Sequence, residues 1–287
     1  MTTIPFDAGQ YKTSQGQTWA GVAAGWGKWW GTFERGGQVV SDRLVALAEV
    51  EPGHRVLDVA TGIGEPAVTA ARRVGPEGRV LATDLSPEML AIARERAAEL
   101  GLANLDFQVM DAEALALPAR SFDAVLSRWA LMFFPDRIGV ITRMLEILRP
   151  GGRLAVAVWD KPARVPIINL RTEAVARILE PPAPAPGTPH PFSLADPRLL
   201  WLALRAAGFA EVHIEGMTAP FEFESPEEFT RFQQDVAGAR VPTLAEQPPE
   251  QQAAFWQALT DAARQYADAE GRVRMPNSVL CATARRP

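Results

Sequence analysis

The stretch from Arg55 to Ala67 constrains this chain more than any other. Val56, Leu57, Asp58 and Val59 make a short apolar strand. Ala60, Thr61, Gly62, Ile63 and Gly64 make a turn of mostly small residues, and Glu65, Pro66 and Ala67 open a helix. Proline suits the first helical turn, where its missing N–H is not needed. Small residues at 60, 62 and 64 let a ligand approach the backbone closely. The helix start then presents unpaired N–H groups and the positive end of its dipole above the strand.

The same strand–turn–helix rhythm continues downstream. Strand 79–83 ends at Asp84, and Ser86 and Pro87 start the next helix, which stops at Gly101. Strand 105–110 is closed by Asp111. Strand 122–127 ends at Ser127 and leads into Arg128, Trp129 and Phe133; a helix over 136–148 precedes Pro150, Gly151, Gly152 and strand 153–159. This βαβα order predicts a parallel, doubly wound sheet. In such sheets ligands bind at the carboxyl ends of the strands. Asp58, Asp84, Asp111 and Ser127 all fall there.

Two ligand classes fit the opening turn. Gly62, Gly64 and Ala67 match the dinucleotide pattern G-x-G-x-x-G/A, and Asp84 lies 20 residues past Gly64, a spacing that fits NAD. Asp58 separates the two: a carboxylate beside the turn repels a pyrophosphate and attracts an ammonium group. A carboxylate after the third strand, Asp111, is also outside the dinucleotide fingerprint. An NAD(P) oxidoreductase is therefore the weaker alternative, and no Tyr-x-x-x-Lys pattern supports it.

The run Asp58-Val-Ala-Thr-Gly-Ile-Gly-Glu65 resembles motif I of the class I S-adenosylmethionine (SAM) methyltransferases. With Ala60 in place of the first glycine it is most similar to the ubiquinone/menaquinone C-methyltransferase (type 11) branch. Phe122-Asp123 resembles the family's F-D-x-V segment, and Leu148 to Leu154 its L-x-P-G-G-x-L turn. The resemblance covers about residues 50–160. It implies a Rossmann-like seven-stranded sheet of order 3-2-1-4-5-7-6 with the seventh strand antiparallel, the segment 278–284 taking that role. It implies SAM as cofactor, held by Asp58, Ala60, Thr61, Gly62, Gly64 and Ser127. Asp84 would take the ribose hydroxyls, Asp111 and the Ala112 N–H the adenine edge, and Leu85 and Met89 its faces. A non-catalytic SAM-binding module shares these residues and stays open as a further alternative.

The flanks are expected to set the substrate. Residues 1–40 read as a cap holding four of the eight tryptophans, among them Trp19, Trp26 and Trp30, with interleaved glycines that weaken a helix prediction. Ser41 is expected to N-cap a following helix. Residues 41–224 and 274–287 are expected to form the core, 160–195 a connector or lid, and 225–273 a helical insertion. Trp19, Trp26, Trp30, Trp129 and Phe133 are the expected lining of a pocket for an apolar small-molecule acceptor. Transfer from a sulfonium to carbon or oxygen needs positioning more than acid–base help. His190, between Pro189 and Pro191, is the one histidine a lid could deliver as a general base.

Composition excludes other classes. A net charge of −5 with no basic run argues against nucleic acid as partner. The single cysteine, Cys281, lies in an apolar run and reads as a buried thiol; no metal-ligand spacing occurs. No signal peptide and no apolar run of membrane-spanning length are visible, so a cytoplasmic protein is expected.

Overall fold

The computed structural model describes residues 6–179, 181, 184–237 and 242–287; parts of the expected cap and connector lie outside them. In chain order the elements are α1 (Ala8–Lys28), α2 (Trp30–Leu47), β1 (Arg55–Val59), α3 (Ala67–Val74), β2 (Arg79–Asp84) and α4 (Pro87–Glu99). Then come β3 (Leu105–Val109), β4 (Phe122–Arg128), α5 (Arg137–Ile147), β5 (Leu148–Trp159), α6 (Pro166–Ile178) and α7 (Pro197–Ala206). The chain continues with β6 (Ala210–Phe223), α8 (Pro226–Ala237), α9 (Pro242–Ala245), α10 (Pro249–Ala263) and β7 (Val273–Arg285).

The seven strands form one sheet of order β3-β2-β1-β4-β5-β7-β6. The pairs from β3 to β5 are parallel, and β7 runs antiparallel to β5 from Arg153 opposite Arg285 to Trp159 opposite Val279. The order and the antiparallel seventh strand are those the resemblance implied. The central strands are near-continuous apolar runs because helices cover them: Leu154 to Val158 on β5 are fully buried, as are Val56 and Leu57 on β1. Helix α3 packs on β1 and β2, α4 on β2 and β3, and α5 on β5.

By backbone contacts the chain divides into two compact units. One comprises Gln38–Lys161, Pro189–Met217 and Ser278–Pro287; the other comprises Met1–Gly37, Pro162–Thr188 and Thr218–Asn277. In the second unit α1 packs on α8, and α10 packs on both α6 and α8. Trp26 stacks on Phe33 at 4.1 Å and donates its Nε1–H to the Val236 carbonyl at 3.1 Å. Trp29 donates to Asp235 at 2.7 Å, where Lys28 also pairs. Trp19 meets the edge of Trp26, and Trp30 is half-buried. Trp26 and Trp29 are thus cross-braces between α1 and α8.

Two local expectations are corrected. The glycine-interleaved segment is helical: a Cβ at Gly25 would overlap the Asp235 backbone, so the glycine permits close packing of α1 on α8 and does not break the helix. Ser41 is no N-cap. The helix starts at Trp30, and Ser41 lies buried inside it with its Oγ accepting from Arg128 Nη1 at 2.8 Å. A third shift is small: α3 begins at Ala67, with Pro66 at the cap position. Among the described residues no helix is long and apolar enough to cross a membrane.

Candidate cofactor and acceptor site

The site is built from the carboxyl ends of β1, β2 and β4, all in the first unit. Asp58 lies fully buried on β1, and its Oδ2 accepts from the Ala67 N–H at 3.0 Å. A strand carboxylate thus caps α3, where the helix has no side-chain cap of its own. Its other oxygen, Oδ1, is buried without a hydrogen-bond partner. Burial pushes the Asp58 carboxyl up to about 7; the Thr61 side chain, the Arg128 guanidinium and the Ala67 amide oppose the shift, and Glu65 reinforces it.

The turn after β1 is held open in conformations that L residues rarely adopt. Ala60 has φ 58° and Gly62 φ 57°, and a Cβ on Gly62 would meet nothing within 4 Å. Asp84 ties this turn to the next one. Its Oδ2 accepts from Gly62 N–H at 2.7 Å and its Oδ1 from Ser86 N–H at 2.9 Å. Burial raises the Asp84 carboxyl above the ordinary range, against the pull of the Ser86, Gly62 and Leu85 amides. Leu85 is exposed while Met89, one turn into α4, is buried. Asp111 follows β3 and caps the single turn Ala112–Ala114 through the Glu113 N–H at 2.8 Å, with Ala112 nearly buried. Ser127 is fully buried, and its hydroxyl donates to the Val59 carbonyl at 2.9 Å, a tie between β4 and β1.

Beyond Ser127 the backbone turns sharply. Trp129 has φ 57°, a conformation costly for a bulky residue, and its N–H donates to the Ala157 carbonyl at 2.7 Å. Its ring stacks on Trp159 at 4.3 Å and 10°. The Arg128 guanidinium stands 4.7 Å from the same ring. Both groups pack against the Trp129 ring, which limits the surface it can offer a ligand. Phe133, in the turn Leu131–Phe133, is half-buried. His190 is exposed, and its Nδ1 accepts from the Phe192 N–H at 3.2 Å. Partial desolvation of the ring, then Arg137, lowers its pKa.

Residues 56–152 match the model of a methyltransferase domain. The chain carries a methyltransferase domain. Its boundaries run from the first residues of β1 to the Gly152 turn in β5, so they enclose the Gly loop, the three aspartates and Arg128. Over 113 residues the chain is 44% identical to aklanonic acid methyltransferase DauC of Streptomyces sp. (strain C5), covering 39% of this chain and 51% of that protein. It is 36% identical over 187 residues to nocamycin O-methyltransferase of Saccharothrix syringae, covering 60% and 65%. It is 39% identical over 119 residues to the ubiquinone/menaquinone biosynthesis C-methyltransferase UbiE of Pseudomonas putida, covering 41% and 46%. The alignments thus span between about half and just under two thirds of these relatives. Among solved structures, the [4+2]-cyclase SpnF superimposes with a TM-score of 0.54 at 24% identity, covering 87% of this chain and 81% of that one. That likeness concerns the fold alone.

Within the matched segment Glu65, the last residue of the run that opens at Asp58, is a buried charge to which no ligand role is assigned from sequence. Its Oε2 accepts from Thr69 Oγ1 at 2.7 Å. Glu65 and Asp58 both push the Arg128 guanidinium back up against the lowering effect of burial. Its one sequence signal is its place between the glycine turn and the start of the helix.

Proposed function

We propose that the protein is a SAM-dependent methyltransferase acting at carbon or oxygen of an apolar small organic molecule. The observation that carries the reading is the buried carboxylate of Asp58 with an unpartnered oxygen beside an open glycine turn, inside a methyltransferase domain. The fit with the cofactor rests on that orphaned acceptor and on the open space over Gly62. Asp58 takes the cationic end of the ligand. Ala60, Thr61, Gly62 and Gly64 let it lie against the backbone. Asp84, already anchored to both turns, accepts from the ribose hydroxyls with its remaining lone pairs. Asp111 and the Ala112 N–H read the adenine edge, with Leu85 and Met89 on its faces. Ser127 supports the floor between β1 and β4.

SAM supplies a methyl group already activated as a sulfonium. What this chain contributes is alignment and exclusion of water. Phe133 and Trp129 line the acceptor side with apolar surface. His190 has its Nδ1 lone pair engaged by the Phe192 N–H, which leaves Nε2 as the protonated nitrogen of the neutral ring. It is therefore poorly prepared as a base, and we assign it no proton transfer. The names of the relatives, which specify aklanonic acid, nocamycin and quinone biosynthesis, support a small organic acceptor and both C- and O-transfer.

The test is incubation with methyl-labelled SAM and a panel of quinols, phenols and polycyclic aromatic acids, read by mass spectrometry. Label is expected on one panel class, alongside SAM-dependent thermal stabilisation. A melting temperature that responds to NAD(H) but not to SAM or S-adenosylhomocysteine would overturn the reading.

A further inference from the structure

We propose that the outer face of α7 is a docking surface for an anionic lipid bilayer, on which the protein rests without spanning it. Six apolar residues follow one another in this helix, from Leu199 to Leu204. One side of a helix can bury only part of such a run. Leu200, Ala203 and Leu204 are buried, and α7 packs on α5. Leu199, Trp201 and Leu202 are left 49%, 44% and 55% exposed. Three of the eight large apolar side chains exposed among the described residues thus fall on one helix of ten residues. A single exposed leucine needs no explanation, but a cluster marks a surface that meets something.

Charge selects what it meets. Arg198 and Arg205 stand exposed on either side of the apolar residues, and the Arg205 guanidinium lies 5.8 Å from the centre of the Trp201 ring. The carboxylate at the helix start, Asp196, is occupied in capping, where it accepts from the Arg198 N–H at 2.8 Å. The patch is therefore apolar and basic, on a chain of net charge −5. Leucine and tryptophan between arginines suit the headgroup region of a bilayer. The apolar side chains reach the acyl boundary and the guanidinium groups meet lipid phosphates. A second copy of the chain fits less well. Arg198 and Arg205 are equally spaced about the midpoint between Trp201 and Leu202. A two-fold axis through that point would set arginine of one copy against arginine of the other. For the apolar acceptor proposed above, docking brings the enzyme to the phase in which such a molecule dissolves.

Flotation of the full-length purified protein with vesicles tests the assignment. Two vesicle types are compared, phosphatidylcholine alone and phosphatidylcholine with about a third phosphatidylglycerol. Wild type is expected to float with the anionic vesicles and not with the neutral ones, and to be released at about 1 M salt. Leu199→Ser combined with Leu202→Ser is expected to lower the partition coefficient about tenfold or more. Arg198→Gln and Arg205→Gln are each expected to lower it about fivefold. Thermal melts check that these exposed substitutions leave the fold intact. Trp201→Phe gives a second readout, since the blue shift of tryptophan emission on anionic vesicles is expected to shrink in that variant. Wild type that ignores anionic vesicles would overturn the assignment, as would a double serine variant that floats equally well. A dimer in sedimentation that Leu202→Ser dissociates would overturn it too, because a second copy would then cover the face.

Discussion

Asp58 serves two partners with its two oxygens, capping α3 with one and holding the other unpaired in a dry site. The consequence for stability has a definite sign. The folded carboxyl titrates near 7 and the unfolded one near its ordinary value of 3.8. Between those values the folded state binds more protons, so this group lowers stability as pH rises from about 4 to about 7, and the loss is complete above that window. Asp58→Asn is expected to remove this slope and to stabilise the ligand-free protein at pH 8 by a few kcal/mol, on the order of 1.4 kcal/mol for each tenfold change in proton affinity. Denaturant titrations of both proteins from pH 4.5 to 8.5 check it; parallel curves would show that Asp58 is ionised throughout. Asp58, Asp84 and Asp111 were legible in the sequence because each carboxylate closes an apolar strand. Glu65 and Arg128 were not legible as a charge group with Asp58, because they are distant from one another in sequence and meet only once β1 and β4 pair. The left-handed backbone of Trp129 had no signal either, since a bulky residue gives no warning of positive φ.

Elements show a different balance between pattern and packing. Strands β1 to β4 and helices α4 and α5 follow their apolar runs closely, and Ser86 and Asp136 each accept from an N–H in the first turn, whereas β5 starts at Leu148, five residues before the expected Arg153. Helix α1 does not follow propensity, since glycines disfavour it and tertiary contact restores it. Gly25→Ala separates the two effects. Helix propensity alone would gain about 1 kcal/mol. The Cβ would instead run into the Asp235 backbone, so a net loss of about 1–3 kcal/mol is expected in urea unfolding. A gain would mean that α1 and α8 move apart at little cost. Ser41 illustrates the reverse error: a serine before an apolar run reads as a cap, yet Val40, Leu44 and Val45 continue a buried stripe from Phe33 on the same helix.

At the scale of the molecule, the sheet order could be inferred from sequence, whereas the composition of the two units could not. Each unit is assembled from three separated segments, and no local pattern announces such a partition. The ligand is expected to act on one of them first. Hydrogen exchange with and without S-adenosylhomocysteine should show added protection in peptides spanning 55–70 and 79–90, and the least change in peptides of α10. Protection concentrated in α10 would place the ligand elsewhere. The position of β7 has a further bearing, on how the protein is made. This strand follows every other strand in the chain, yet it sits between β5 and β6 in the sheet. Until the ribosome has released residues 273–285, β5 has no partner on that side and the parallel strands end in an open apolar edge. The nascent chain therefore passes through a stage in which most of the β1–β5 half can form while its edge stays sticky. Slowing translation just before residues 273–285 emerge, or sequestering the emerging β7 segment, should trap that stage as aggregate, even though the mature sheet hides the same edge completely.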